Sequence, residues 1–360
     1  MASLPQTMKA IKCFGPESAR LVTDAPIPSC PEDYILVKIH SIALNPTDWK
    51  HIDLIAQSNY NHTVGCDYSG TIIHIGSKVT KPFQKGDRVA GFSHGSKHED
   101  PESGCFAEYA KVKGDIQIQI PENVSFEEAA SWPTGINTAG QGMYGPDGLG
   151  LTWPGSEEKE KGDQPVLIYG ASTNTGLWAV QYAKLSGYRV IATCSEKNFE
   201  AVGQLGADEV FDYKDPDCAK KIRGVTNGGL KFVFDCVSEG SSMEICANAM
   251  SSDGKGARYN ALLPVEFPRK DLEKGFTIGY SVNGEAFTFF GNKVDAKPED
   301  FEFGKKWWSL SEKLLREGKI RAPAVNVREG GLQGVFDGFE DMKNGRISRQ
   351  KLVYRIEDTP

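Results

Sequence analysis

No Cys-x-x-Cys pair occurs in the 360 residues, and the eight cysteines (13, 30, 66, 105, 194, 218, 236 and 246) are widely and irregularly spaced. That spacing excludes a disulfide framework or a zinc knuckle and fits scattered thiols in a reducing compartment. Also missing is any apolar run approaching the roughly 18–20 residues of a membrane span. The opening residues, MASLPQTMKAIKCF, hold no apolar core followed by a small-residue cleavage site, so no signal peptide is read there. A cytoplasmic chain with no membrane partner is the expectation. Positive charge is in deficit, with 41 Lys and Arg against 48 Asp and Glu and a net charge of −7. That balance argues against nucleic acid as a partner, although a local basic patch could still meet an acidic carrier protein. The six histidines form no His-x-His pair. His94 and His98 lie in a Gly/Ser/Asp loop with no third ligand evident, so no metal site is expected.

What is present suits a globular chain long enough for two domains, with 39% hydrophobic and 25% charged residues. Up to about residue 135, short alternating runs such as Tyr34-Ile-Leu-Val-Lys-Ile-His40 and Gly70-Thr-Ile-Ile-His-Ile75 are broken by turn signals, among them Lys85-Gly-Asp-Arg88. This pattern predicts an irregular antiparallel β-barrel. From Pro165 onward, apolar strands are expected at 166–169, 189–194, 209–213, 231–237, 257–263 and 276–282. Helical segments separate most of them; Leu177, Val180 and Ala183 form one face, and Gly187 caps it. Strands alternating with helices predict a parallel, doubly wound sheet, hence an α/β protein. Helices are expected at 307–317 and 332–344, and a closing strand at 350–355 returns to the barrel. The domains are therefore expected at 1–135 with 300–360, and at 136–299. The charged run at 156–163 reads as a solvated loop.

The first α/β strand ends in Gly170-Ala-Ser-Thr-Asn-Thr-Gly176 and enters a helix. Such a turn aims backbone N–H groups and a helix dipole at a pyrophosphate. Ser172, Thr173, Asn174 and Thr175 are its candidate contacts, the alternative being a simple polar helix cap. The second strand ends in Cys194 and Ser195, where an NAD enzyme usually carries an acid for the ribose hydroxyls. Ser195, Lys197 and Asn198 offer donors and a cation there, which favours NADPH. Glu196, one register step away, reads as a solvent-facing loop residue. Tyr213 either bonds the 2′-phosphate or packs at the sheet edge.

From about residue 8 to 355 the chain resembles the medium-chain dehydrogenase/reductase superfamily. The resemblance rests on Asn45-Pro-Thr-Asp-Trp-Lys50, Gly65-Cys-Asp-Tyr-Ser-Gly70, Lys85-Gly-Asp-Arg-Val89, Gly104-Cys-Phe-Ala-Glu-Tyr109, the Gly170 turn and Gly206-Ala-Asp-Glu-Val210. Within its zinc-free, quinone-reductase-like branch it is most similar to the fungal trans-acting enoyl reductases that serve polyketide synthases. Tyr169-Gly-Ala-Ser-Thr-Asn-Thr175, Ile191-Ala-Thr-Cys-Ser-Glu-Lys-Asn-Phe199 and the insertion at 149–164 carry that likeness.

The resemblance implies a GroES-like catalytic barrel and a Rossmann domain. It places zinc ligands of the metal-dependent members at positions matching Asn45, Cys66 and the neighbourhood of Thr134. Only Cys66 would ligate well, and a catalytic zinc normally takes three protein ligands. It further implies that Asn45, Thr47, Asp48, Trp49, Thr138, Leu262 and Leu263 join the cofactor contacts. Gly135, Gln141, Asn283 and Phe287 would line the substrate site, the aromatic group Phe287, Phe289 and Phe290 being equally readable as core or interface packing. Lys50 and Thr134 are the candidate catalytic residues, Lys50 being equally readable as a surface lysine or ribose contact and Thr134 as a helix cap, and Tyr60 is a further possible donor. The activity implied is NADPH-dependent reduction of an enoyl thioester on a synthase's acyl carrier domain, in fungal secondary metabolism and by a monomer. A freestanding reductase of small enones, enals or quinones stays open, as does a nucleotide-binding protein without catalysis.

Overall fold

The computed structural model of the chain describes residues 4–56, 60–156 and 163–360, so the charged run at 157–162 lies outside the described residues. The chain divides into two compact units. One holds the chain up to Thr134 and again from Tyr280 onward; the other is Gly135–Gly279.

The first unit begins with β1 (Thr7–Gly15), β2 (Ser18–Pro26), β3 (Tyr34–Ala43), β4 (His62–Thr63), β5 (Asp67–Ile75), β6 (Arg88–Phe92), β7 (Tyr109–Lys113) and β8 (Gln117–Gln119). Two short helices accompany them, α1 (Pro46–Lys50) and α2 (Phe126–Ala130), and α3 (Pro133–Tyr144) carries the chain into the second unit. There, β9 (Pro165–Tyr169), α4 (Asn174–Leu185), β10 (Arg189–Cys194), α5 (Phe199–Gly203) and β11 (Glu209–Asp212) alternate. They are followed by α6 (Cys218–Val225), β12 (Phe232–Asp235), α7 (Ser242–Ala249), β13 (Arg258–Ala261) and β14 (Glu273–Phe276). The return to the first unit brings β15 (Phe287–Phe289), β16 (Asn292–Val294), α8 (Pro298–Arg316), β17 (Ala324–Arg328), α9 (Gly331–Lys343) and β18 (Gln350–Arg355).

Period-two burial explains the first unit. Ile35, Val37 and Ile39 of β3 point into one core with Ile72, Val89 and Val112 from β5, β6 and β7. Leu332, Val335 and Phe339 of α9 and Leu352 and Tyr354 of β18 enter the same core. Each such aliphatic side chain contributes about 1.5–3 kcal/mol by leaving water. β18 pairs antiparallel with β3, Val353 opposite Ala43, so the last strand closes on the early barrel as its sequence suggested. The sheet runs β17-β18-β3-β5-β6-β8, with β7 also on β3 and a separate β2-β1-β4 sheet.

The second unit is a six-stranded sheet in the order β11-β10-β9-β12-β13-β14, parallel throughout. Its central strands read as continuous apolar runs because both faces are covered; Val166, Leu167 and Ile168 are all fully buried. The order reverses between β9 and β12, which is where a doubly wound sheet offers a ligand crevice at its carboxyl edge.

One expected strand is corrected. The sequence predicts the sixth at 276–282, but β14 ends at Phe276 and residues Gly279–Asn283 form a 3-10 turn. Its partner β13 ends at Ala261, opposite Phe276, so the ladder has nothing further to pair with. The chain also returns to the first unit at Tyr280, not at 300. Tyr280 and Phe287 explain the difference, since both rings pack against His94 of the first unit.

Candidate active site

At the carboxyl edge of the parallel sheet, Gly170 follows β9 with φ +76°, a conformation that glycine adopts without a Cβ penalty. Thr173 caps α4 by accepting from the Gly176 N–H at 3.0 Å. A Cβ on Gly176 would stand 2.3 Å from the Gly170 carbonyl oxygen, so only glycine lets the helix start this close to the turn. Ser172, Thr173 and Asn174 are half-buried and Thr175 buried. Both amide atoms of Asn174 lie out of solvent without a hydrogen-bond partner. A helix start with unsatisfied N–H groups and an orphaned amide fits a dinucleotide's phosphates.

The other cofactor candidates in this unit end neighbouring strands on the same edge. Ser195 follows β10 and is half-buried, Glu196 and Lys197 are exposed, and Asn198 is buried. Tyr213 follows β11 and sets its ring edge-on to Tyr169. Leu262 and Leu263 follow β13, and the Leu262 N–H donates to Ser238 Oγ at 2.8 Å. Thr138 is half-buried on α3. Two of the substrate candidates are engaged in this unit's packing. A Cβ on Gly135 would stand 2.2 Å from the Trp178 ring, so this glycine lets α3 approach α4, and the Gln141 carbonyl accepts from Asn137 at 3.2 Å.

In the first unit the Asn45–Lys50 segment builds a buried polar cluster. Gly65, with φ +107° and no room for a Cβ beside Phe106, turns the chain so that Cys66 and Asp67 enter it. Asp67 is fully buried, and its Oδ1 accepts from the Thr134 N–H at 2.8 Å and the Thr134 hydroxyl at 2.6 Å. Its Oδ2 accepts from Asn45 Nδ2 at 2.9 Å and pairs with Lys351 Nζ at 2.8 Å. Lys351 also donates to Asn45 Oδ1. The Asn45 N–H donates to Asp48 Oδ2 at 2.7 Å, while Asp48 Oδ1 has no partner. Burial, then the charge of Asp67, raises the Asp48 carboxyl to about 7.

Beside this network lies a second group. Thr47 Oγ1 is 2.8 Å from the Tyr280 hydroxyl, which is 3.6 Å from Cys66 Sγ. His51 Nδ1 donates to the Thr47 carbonyl at 2.8 Å, which fixes the ring's tautomer because a carbonyl only accepts. Burial pulls His51 down to about 4 and pushes the Cys66 thiol and the Tyr280 phenol well up. His94 stacks on Tyr280 at 3.8 Å between ring centres. Phe287 is buried against His94, and Asn283 is buried with its Oδ1 unpartnered. Lys50 stands half-buried at the end of α1, its ammonium 5.6 Å from the Trp49 ring centre. Tyr60 is buried over His62, and burial first of all pushes its phenol up to about 12.

Lys351, Asp67, His51 and Tyr280 were not among the sequence candidates. The one local signal was Lys351, a charge leading directly into the apolar stretch Leu352-Val353-Tyr354 of β18.

A catalytic zinc does not suit these residues. Asn45 spends its amide on Asp67 and Lys351, and the Thr134 hydroxyl spends its proton on Asp67. Cys66 is then the one residue of the three that could ligate, and a catalytic zinc normally takes three protein ligands. The positive charge facing Asp67 is already supplied by Lys351. Among the described residues no three His, Cys, Asp or Glu side chains gather as a metal site.

A glycine-turn nucleotide unit joined to a barrel with this polar cluster defines a nicotinamide-dependent oxidoreductase. Residues 31–122 match the family model described as alcohol dehydrogenase GroES-like domain, and 175–267 match that described as zinc-binding dehydrogenase. The chain is 46% identical over 337 residues to trans-enoyl reductase ACTTS2 of Alternaria alternata, covering 93% of this chain and 95% of that one. It is 50% identical over 280 residues to trans-enoyl reductase TOXD of Cochliobolus carbonum, covering 78% and 92%. The solved quinone oxidoreductase of Coxiella burnetii superposes with a TM-score of 0.71 at 25% identity, over 97% of this chain and 99% of that one. The chain therefore belongs to the medium-chain dehydrogenase/reductase superfamily, in its quinone-reductase-like branch and in the family of the fungal trans-enoyl reductases.

Proposed function

We propose that the chain is an NADPH-dependent, trans-acting enoyl reductase. Its substrate would be an α,β-unsaturated acyl thioester held on the acyl carrier domain of a polyketide synthase, in fungal secondary metabolism. The observation that carries this reading is the donor set of the barrel site. The charge of Asp67 is met internally by Lys351, and beside that pair the Thr47 and Tyr280 hydroxyls lie 2.8 Å apart. Such groups can steady a growing enolate, whereas alcohol oxidation wants a Lewis acid. The full-length likeness to trans-enoyl reductases supports the same reading.

When bound, the cofactor supplies a hydride to the β-carbon of the substrate. The double-bond electrons then move to the thioester oxygen, and a proton returns to the α-carbon from a side chain or water. Lys50 donates to that oxygen as its charge grows. Thr134, its proton committed to Asp67, presents lone pairs and holds an N–H donor such as a carboxamide. NADPH is favoured over NADH because β10 ends at Cys194 and is followed by Ser195 and Lys197, with the Glu196 between them exposed to solvent.

Following NADPH absorbance with crotonyl-pantetheine, against NADH and a small quinone as parallels, tests the proposal. NADPH-specific oxidation with the thioester, indifferent to a zinc chelator, is expected. Oxidation with quinones or small enones alone would make the chain a freestanding reductase instead.

A further inference from the structure

The hairpin of β15 and β16 carries an unusual turn. Phe289 pairs with Asn292, leaving the two-residue loop Phe290-Gly291. Both loop residues have positive φ, +47° and +72°, as a type I′ turn requires. Asn, Asp or Gly normally fill the first position, since a bulky side chain is strained there. Phenylalanine occupies it here, with 47% of its surface exposed. A strained, solvent-facing aromatic ring stabilises neither the turn nor the core.

The base of the hairpin is firmly tied. Glu285 accepts from Lys97 at 2.6 Å, the Tyr34 hydroxyl at 2.6 Å and Lys113 at 2.9 Å. Thr288 donates to Glu99 at 2.6 Å. From the free tip a row of rings leads inward. Phe290 meets Phe289 at 4.8 Å, and Phe289 lies 6.2 Å from His51 and 6.4 Å from Tyr280. Tyr280 and His51 in turn reach the Thr47 hydroxyl. The row is apolar at its solvent end and polar at its inner end, which is the polarity of an acyl thioester lying with its tail outward.

We propose that Phe290 is a specificity-determining residue whose ring, backed by Phe289, grips the apolar acyl chain of the substrate and favours long chains over short ones. This rests on the enoyl-thioester reading above. The strain at Phe290 is retained because the contact it offers is used in binding.

The test compares kcat/KM for dodecenoyl- and crotonyl-pantetheine in the wild type, F290N and F290L, together with thermal unfolding. Pantetheine thioesters carry no protein, so a chain-length effect cannot come from carrier docking. F290N should lower the long-to-short ratio roughly ten-fold, mainly through KM. It should also raise the melting temperature, because Asn-Gly suits the turn. F290L keeps an apolar group and the strain, so the ratio should fall less and the melting temperature should not rise. An unchanged ratio in F290N, or a lowered melting temperature, overturns the proposal while leaving the enoyl-reductase reading intact. A wild type that reduces neither thioester overturns that reading itself.

Discussion

Asp48 and His51 are neighbours in the barrel site whose burial acts on stability with opposite signs. The folded Asp48 carboxyl titrates at about 7, above its ordinary 3.8. The fold therefore favours its protonated form, and its contribution is full below about pH 4 and lost as pH rises through 7. His51 titrates at about 4, below its ordinary 6.5. The fold favours its neutral form, and its contribution is full above about pH 6.5 and lost as pH falls through 4. Each effect is on the order of 3–4 kcal/mol. His94, pulled down by burial and by His51, acts with His51. Between pH 4 and 6.5, D48N should make stability climb more steeply with pH than the wild type, and H51N less steeply. Urea midpoints across that range check both, and parallel curves for the three proteins would refute the assignment. Lys50→Ala should lower kcat by about 10²–10³-fold with NADPH affinity nearly unchanged, and Lys50→Arg should recover part of it. Stopped-flow reduction and a fluorescence titration separate the two effects, and an unaltered kcat removes Lys50 from the chemistry. Asn45–Lys50 and the Gly170 turn were legible because each is a contiguous motif. Tyr280 was not, because its role depends on a 3-10 turn that brings it onto residues 47, 51 and 66.

At the scale of elements, β18 does more than close the barrel sheet. Its Lys351 is 3% exposed and faces an Asp67 that is wholly buried. Removing one partner of such a pair leaves a buried charge uncompensated, which costs about 3–5 kcal/mol. K351M should therefore destabilise by that amount, and D67N/K351M should recover a substantial part, both read from urea midpoints. A double variant no more stable than K351M would show that the lysine matters through packing alone. The strand itself was readable from its apolar run. Its ionic partner was not, since residues 67 and 351 share no local pattern. The misplaced sixth strand has a comparable cause. Alternation continues past Phe276 in the sequence, but β13 is too short to pair with it.

For the whole molecule, the change from alternating runs to strand–helix units already announced a barrel and a parallel sheet. The return at Tyr280 depended on aromatic contacts that no composition shift marks. What the sheet leaves open bears on assembly. Its outer strand β14 spans only four residues, Glu273–Phe276, and all four are exposed. A short edge bearing Glu273, Lys274 and Gly275 is a poor template for pairing with a second copy, because charged side chains and few free ladder positions oppose extension. The net charge of −7 adds mutual repulsion at low salt. We predict a monomer of about 39.4 kDa by light scattering across the micromolar range, unchanged when salt is raised to screen the charge. A dimer that survives K274E, which would set like charges along a β14–β14 seam, would place the interface elsewhere. A dimer that dissociates in K274E would show that this short edge suffices for pairing despite its charge.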